Sequence, residues 1–205
     1  MLRVVALGAS CWFCASHCGS RYASAVRPDL TVIAESAFQE AKRLAGDWIA
    51  CRPGCDSCCR RPFAITREDA ERLRAVATPA LVARAEAAWA RMQMDFPGDA
   101  ATGTLTERED WREWFFARHQ GLACPALDEG TGECLVHPHR PVACRLYGPL
   151  ITIGGQTSDP CPLCFSSASA AEIEATRVTV ELPPGPTAPA GETVIAWAFA
   201  SMTLP

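Results

Sequence analysis

Apolar positions recur at helical spacing through most of the central chain. Between Thr31 and Ala50 they fall at Ile33, Ala37, Ala41, Leu44 and Trp48, which places one stripe on one face of a helix. Arg52-Pro53-Gly54 then breaks it. Thr66-Arg67-Glu68-Asp69 reads as an N-cap with acidic residues in the first turn, opening a helix with Ala70, Leu73 and Ala77 inward. Pro79 starts the next one, with Leu81, Ala85, Ala88 and Met92 on its inner face up to the stop at Phe96-Pro97-Gly98. Thr106-Glu107-Arg108-Glu109 fits a capping box. The helix behind it carries Trp111, Trp114, Phe115 and Phe116, either a core wall or the lip of a pocket.

Downstream the pattern shortens. Cys124 to Cys134 encloses an Asp-Glu-Gly-Thr-Gly turn that predicts a short hairpin. Pro141 is placed as the first residue of a short helix ending at Tyr147, with Gly148 as its cap and Cys144 riding on it. Ser166 to Thr176 reads as helix and Val178 to Leu182 alternates like a strand, whereas Val194 to Met202 fits a strand or a short helix equally. The predicted fold is mainly α: a small helical domain built around a cysteine-rich metal site, with short β elements near residues 124–136 and 178–200. The chain divides into a leader over 1–30, a cysteine-cluster domain over 31–178 and a C-terminal tail over 179–205 packed on it.

Length and composition narrow the function. With 205 residues, 49% of them hydrophobic, the chain can bury one core. A net charge of -4 without blocks of like charge argues against nucleic acid and against an anionic membrane as partners. Twelve cysteines would suit a secreted disulfide scaffold in a much shorter chain; here they suit a reducing cytoplasm. The leader complicates this, because Met1-Leu2-Arg3, the run to Cys18 and Ala23-Ser24-Ala25 loosely follow a signal peptide. Cys11, Cys14, His17 and Cys18 are an extra ligand set, part of a cleaved signal, or part of a disordered or spurious leader.

Nine of the cysteines fall between residues 51 and 164: Cys51, Cys55, Cys58, Cys59, Cys124, Cys134, Cys144, Cys161 and Cys164. A disulfide between the neighbours Cys58 and Cys59 would strain the peptide between them, whereas short C-x2-C and C-x3-C spacings let a loop wrap one ion. The candidate cofactor is zinc or iron, including an iron-sulfur cluster. His137 could add a nitrogen ligand, His139 less readily.

The ordered set Cys51-x3-Cys55-x2-Cys58-Cys59, then Cys124-Pro125-Ala126-Leu127, Cys134, and Arg140-Pro141-x2-Cys144-Arg145-x-Tyr147 resembles the bacterial and archaeal YkgJ-type CxxCxxCC family. The resemblance spans roughly residues 47 to 165 and implies a zinc- or iron-chelating domain. The first spacing here is x3 where the family name has x2. Some members of the wider group look like flagellin lysine methylases, which implies the alternative of a metal- or iron-sulfur-dependent enzyme acting on a protein or peptide. Four thiolates around zinc carry excess negative charge, which Arg60, Arg61, Arg140 and Arg145 could offset.

Competing chemistries are weaker. Cys51-x3-Cys55-x2-Cys58 coincides with the radical SAM signature, but no alternation of strands and helices follows to build the accompanying barrel. A catalytic zinc would need an acid or base nearby, for which Asp56, Asp128 and Glu133 are the nearest in sequence. Cys161-Pro162-Leu163-Cys164 could cycle as a redox dithiol, a reading that lacks the usual βαβ context.

Overall fold

The computed structural model describes residues 3–4, 29–182 and 191–202. The leader cysteines Cys11, Cys14 and Cys18 and His17 lie outside the described residues. Strand β1 (Arg3–Val4) is followed by helix α1 (Leu30–Ala45), where the Asp29 carboxylate accepts the Thr31 N–H at 2.9 Å and so caps an orphan donor. The helix buries Ala34, Ala37, Ala41 and Ala45, while Leu44 stays 37% exposed. The buried face is thus turned slightly from the stripe expected at Ile33 and Leu44, because small alanines allow the close approach of the elements that α1 meets.

Strand β2 (Ala64–Thr66) runs straight into α2 (Arg67–Arg74), capped by Thr66 as its sequence predicts, and α3 (Pro79–Met92) begins on the expected proline with Thr78 as cap. Strands β3 (Gly98–Asp99) and β4 (Thr104–Leu105) form a small hairpin ahead of α4 (Glu109–Arg118). The capping box expected at Thr106 is not formed: Arg108 occupies the cap without a side-chain bond, and the Thr106 hydroxyl accepts the Arg108 N–H instead. On α4 the aromatic residues divide, with Phe115 fully buried and Trp111 and Trp114 more than half exposed beneath the guanidinium groups of Arg108 and Arg118.

Beyond α4 come β5 (Leu127–Asp128) and β6 (Glu133–Cys134), the predicted hairpin, then α5 (Val142–Leu146), β7 (Ile151–Ile153), β8 (Gln156–Thr157), α6 (Ala170–Ala175), β9 (Val178–Val180), β10 (Glu192–Val194) and α7 (Ile195–Ala200). The largest sheet has the order β1-β9-β7-β8, parallel except for the β7–β8 hairpin. Its apolar face, Ile151, Val178 and Val180, packs on Ala37 and Ala41 of α1.

A second and larger core joins α2, α3, α4 and α7 around Leu73, Trp89, Phe115 and Phe199. The tail ambiguity resolves into a strand followed by a helix, with β10 pairing antiparallel to β2 and all six residues of α7 buried. These residues lie beyond the boundary drawn at 178, yet they occupy the middle of this core. Arg67 and Arg74 stack on Trp197, and Arg74 also donates to the Ala198 carbonyl at 3.0 Å.

The expectation of a mainly α fold is therefore corrected to mixed α/β, with seven α-helices and four small sheets among the described residues. The connecting segments carry backbone N–H and C=O groups that need partners, and short ladders supply them where turn-rich sequence cannot continue a helix. Among the described residues, no helix is long and apolar enough to cross a membrane.

Candidate metal centre

Four separate loops and turns carry the nine sulfurs toward the junction of the cores. After α1 a turn of 3-10 helix (Gly46–Trp48) leads into Cys51, and the Cys55 N–H closes on the Arg52 carbonyl at 3.0 Å, with Gly54 at φ +81°. Cys58 and Cys59 sit on a second 3-10 turn (Ser57–Cys59). Gly132 of the β5–β6 turn lies so close that a Cβ there would meet the Gly54 carbonyl oxygen at 2.6 Å, so only glycine lets the two loops touch. Cys124 is drawn to Cys59 by a backbone bond of 2.7 Å, and a second bond of 2.7 Å joins Gly121 to Arg60. Asp69, buried on α2, accepts the Val142 N–H at 3.3 Å and so fixes the start of α5, which presents Cys144.

The sulfurs fall into two groups. Cys58 and Cys59 stand 4.0 Å apart, near the ~3.8 Å that Zn–S bonds of about 2.3 Å impose on tetrahedral ligands. Their partners are Cys124, Cys134 and Cys144. The Cys58 thiol is pulled down to about 7, first by the hydrogen bond from Cys59 and further by the Arg140 and Arg61 guanidinium groups, against its burial. Cys59 is pushed up correspondingly, since it supplies the proton that Cys58 shares. Burial raises Cys124 to about 12 and Cys144 well above its ordinary value, and the neighbouring sulfurs add to both shifts. Backbone amides of Ala126 and Leu127 near Cys124, and of Val136 near Cys134, work in the opposite direction and favour the thiolate.

The other group consists of Cys51, Cys55, Cys161 and Cys164. Cys164 is pulled down to about 6, first by the Cys51 thiol and then by N–H groups of Ala50 and Cys51 and by the Cys161 thiol, while Cys51 is pushed up. The hook itself is pinned by Cys161 N–H to the Gly148 carbonyl at 2.9 Å and Phe165 N–H to the Trp48 carbonyl at 3.0 Å.

Between the loops opens a cavity of about 520 Å³, lined by Cys51, Cys55 and the five cysteines of the first group, together with Arg61, His137, Arg140 and Tyr147. Among the described residues, no three or more His, Cys, Asp or Glu side chains are drawn in around one point as the ligands of an ion would be. The donor chemistry nonetheless suits a cation. Cys58 and Cys164 are shifted toward the thiolate, while burial and neighbouring sulfurs hold Cys51, Cys59, Cys124 and Cys144 toward the thiol, which a bound cation would relieve. The nine cysteines are free rather than paired in disulfides.

The CxxCxxCC family pattern, described as "Putative zinc- or iron-chelating domain", matches residues 50–162. The chain belongs to the CxxCxxCC family. No curated protein and no solved structure matches it. The family segment takes in both loops, the hairpin and α5, and ends inside the Cys161–Cys164 hook.

The expected arginine roles divide. Arg61 and Arg140 face the sulfurs, but Arg60 lies at the surface, paired with Asp56 at 2.6 Å and Glu129 at 3.4 Å, and is corrected to a surface ion pair. Arg145 is likewise a brace, bonded to Glu35 at 2.9 Å and to the Pro138 and Arg140 carbonyls. His137 lines the cavity and burial lowers its pKa, keeping the imidazole neutral; His139 does not reach the cavity. Of the acids, Asp56 is tied up by Arg60 and Asp128 accepts the Gly130 N–H within its own turn, while Glu133 lines the cavity. Sequence reasoning missed Glu35, which faces Arg140 and Arg145 from α1, and the site role of Tyr147, which lines the cavity and accepts a hydrogen bond from Arg61 at its hydroxyl. An Arg-x-Tyr pattern beside Cys144 is the one signal that pointed to Tyr147; Glu35 looked like any exposed helix residue.

Proposed function

We propose that the protein is a metal chelator in which Cys58, Cys59, Cys124, Cys134 and Cys144 supply the thiolates that hold zinc or iron, with an iron-sulfur cluster as one form of the iron. The observation that carries this reading is the gathering of five sulfurs from three chain segments around one cavity that Arg61 and Arg140 also line. Thiolates suit zinc and iron-sulfur clusters alike, and positive groups with N–H donors disperse the charge such ligands accumulate. When bound, the metal would cross-link loops that hold few apolar residues of their own.

A second reading, an enzyme acting on a protein or peptide, is favoured by the cavity. Its ~520 Å³ exceeds what one ion needs and falls within the range of small-molecule sites. His137, Tyr147 and Glu133 on its wall could bind and orient such a substrate or move its protons.

The deciding experiment is anaerobic purification followed by metal analysis and a visible spectrum, then exhaustive chelation with thermal unfolding of both forms. Structural zinc contributes about 10–16 kcal/mol of apparent binding free energy in small domains, so a large fall in midpoint is expected on chelation. Purified protein that takes up neither zinc nor iron would refute the reading. Charge-transfer absorbance in the visible would assign iron-sulfur over zinc.

A further inference from the structure

We propose that the cavity binds a small organic anion, with its charged group held by Arg61 and Arg140 and its apolar body lying against Phe38 and Phe63. The inference rests on the second reading above, the cavity as a substrate site, and deepens it by naming the chemical class that the site admits.

Size and lining are the first ground. A volume of about 520 Å³ is far more than one ion fills. The cavity has an aromatic corner, where the rings of Phe63 and Tyr147 meet edge-on at 5.3 Å, and Phe38 stands beside Gly148, where a Cβ would lie 3.6 Å from the Phe38 ring. One wall is a single face of α1, because Glu35, Phe38, Gln39 and Lys42 recur at helical spacing and all line the cavity. That wall precedes residue 50, so the family match does not cover it.

Charge is the second ground. The Arg61 guanidinium stacks over Tyr147 at 4.9 Å and Phe63 at 5.5 Å and donates to the Tyr147 hydroxyl. These contacts fix its direction without neutralising it: among the described residues no carboxylate pairs with Arg61. Arg140 is little better matched. Its Nη2 lies 3.7 Å from Glu35, whose carboxylate is bound more closely by Arg145 at 2.9 Å, and its Nε is buried without a hydrogen-bond partner. Glu133, the other carboxylate of the lining, is exposed. A partly buried cation without a matched anion is costly, and guanidinium groups bind carboxylate or phosphate oxygens in pairs. The sulfurs that these arginines face account for neither the volume nor the aromatic corner beside Arg61, which suit a ring or chain attached to the anion.

The test titrates the full chain by calorimetry, as purified anaerobically and again after chelation. The probes are benzoate and phenyl phosphate, their ring-free counterparts acetate and inorganic phosphate, and neutral benzyl alcohol. In both forms one aromatic anion should bind at least about tenfold more tightly than its ring-free counterpart and than benzyl alcohol, and the tighter of the two marks the anion as carboxylate or phosphate. Arg61→Gln and Arg140→Gln should each weaken it by about 10- to 100-fold, whereas Arg43→Gln, at an exposed surface pair with Glu40, should leave it unchanged. Because a variant could fail to fold, modification of wild type by phenylglyoxal is mapped by mass spectrometry; the bound anion should protect Arg61 and Arg140 but not Arg43. Benzyl alcohol binding as tightly as the anions overturns the charge assignment and leaves the cavity as a substrate site. Ring-free anions binding as tightly as the aromatic ones mark an adventitious ion only and overturn the inference. So does binding confined to chelated protein, which would give the arginines to the metal, or binding that persists in both arginine variants, or modification of Arg61 and Arg140 that the anion does not slow. Failure of every probe, charged and neutral, overturns the substrate-site reading as well.

Discussion

Replacing Gly148 with alanine separates a cost to the fold from a cost to the sulfur beside it. The residue has φ +130°, where an L side chain is strained by about 1–3 kcal/mol. Gly121→Ala is the matched control: φ there is +88° and a Cβ would meet nothing within 4 Å, so it reports backbone strain alone. In a chain of this size that strain lowers the midpoint by roughly 3–10 °C in either variant. At Gly148 the new Cβ would also sit 2.9 Å from the Cys51 sulfur and 3.6 Å from Phe38. A thiol can rotate away at small packing cost, but a rotated sulfur no longer faces Cys164. Displacing a ligand through its neighbour weakens metal binding by about 10- to 100-fold. Calorimetry of the chelated proteins should therefore show similar losses for the two variants. Zinc competition against a chromophoric chelator should show weakened affinity in Gly148→Ala and unchanged affinity in Gly121→Ala. Equal zinc affinities in the two variants would refute the argument.

Helix α4 offers a contrast between two aromatics: Phe115→Ala should cost about 3–5 kcal/mol in urea unfolding because the ring is fully buried, and Trp111→Ala less than about 1 kcal/mol because half of that ring is already in water. Burial holds the pKa of His119, and likewise that of His137, below the ordinary histidine value. A base whose folded pKa is depressed binds fewer protons folded than unfolded, so its stabilising contribution is present above pH ~6.5 and is lost as pH falls through the folded value. Chelated protein should thus weaken as the pH falls below about 6.5, and His119→Phe, which keeps the ring contact with Phe115, should flatten that slope. An identical slope in His119→Phe would assign the effect to other groups.

Local signals were legible where they depended on a few adjacent residues. Thr66 and Thr78 cap their helices, Pro79 starts one, and Pro141 and Gly148 bracket the short helix that carries Cys144, because capping and turn geometry are set by neighbours in the chain. The box at Thr106 failed for the same local reason: the hydroxyl found the nearer Arg108 N–H, and the helix began later. The Cys58-Cys59 pair and the ordered motif were enough to point to the CxxCxxCC family, since thiolate ligands at short spacing are a property of the sequence itself.

Distance along the chain hid the rest. Six apolar residues over Ile195–Ala200 read as strand or helix because a fully buried segment has no polar face to reveal its period, and only the packing of α7 between α2 and α3 decided it. The aromatic run on α4 could not disclose that Phe115 would be fully buried while Trp111 stayed in water, because that division depends on which side of the helix the large core lies. Four arginines near cysteines looked equivalent in sequence; tertiary contacts gave Arg60 to Asp56 and Arg145 to Glu35, and turned Arg61 and Arg140 toward sulfur. The sequence by itself determined that many thiols would be present at ligand spacings. Which sulfurs share a neighbourhood was decided by the tertiary structure, because Cys51 meets Cys164 only when the hook folds back onto Trp48 and Gly148, and proximity between residues so far apart in the chain is a property of packing.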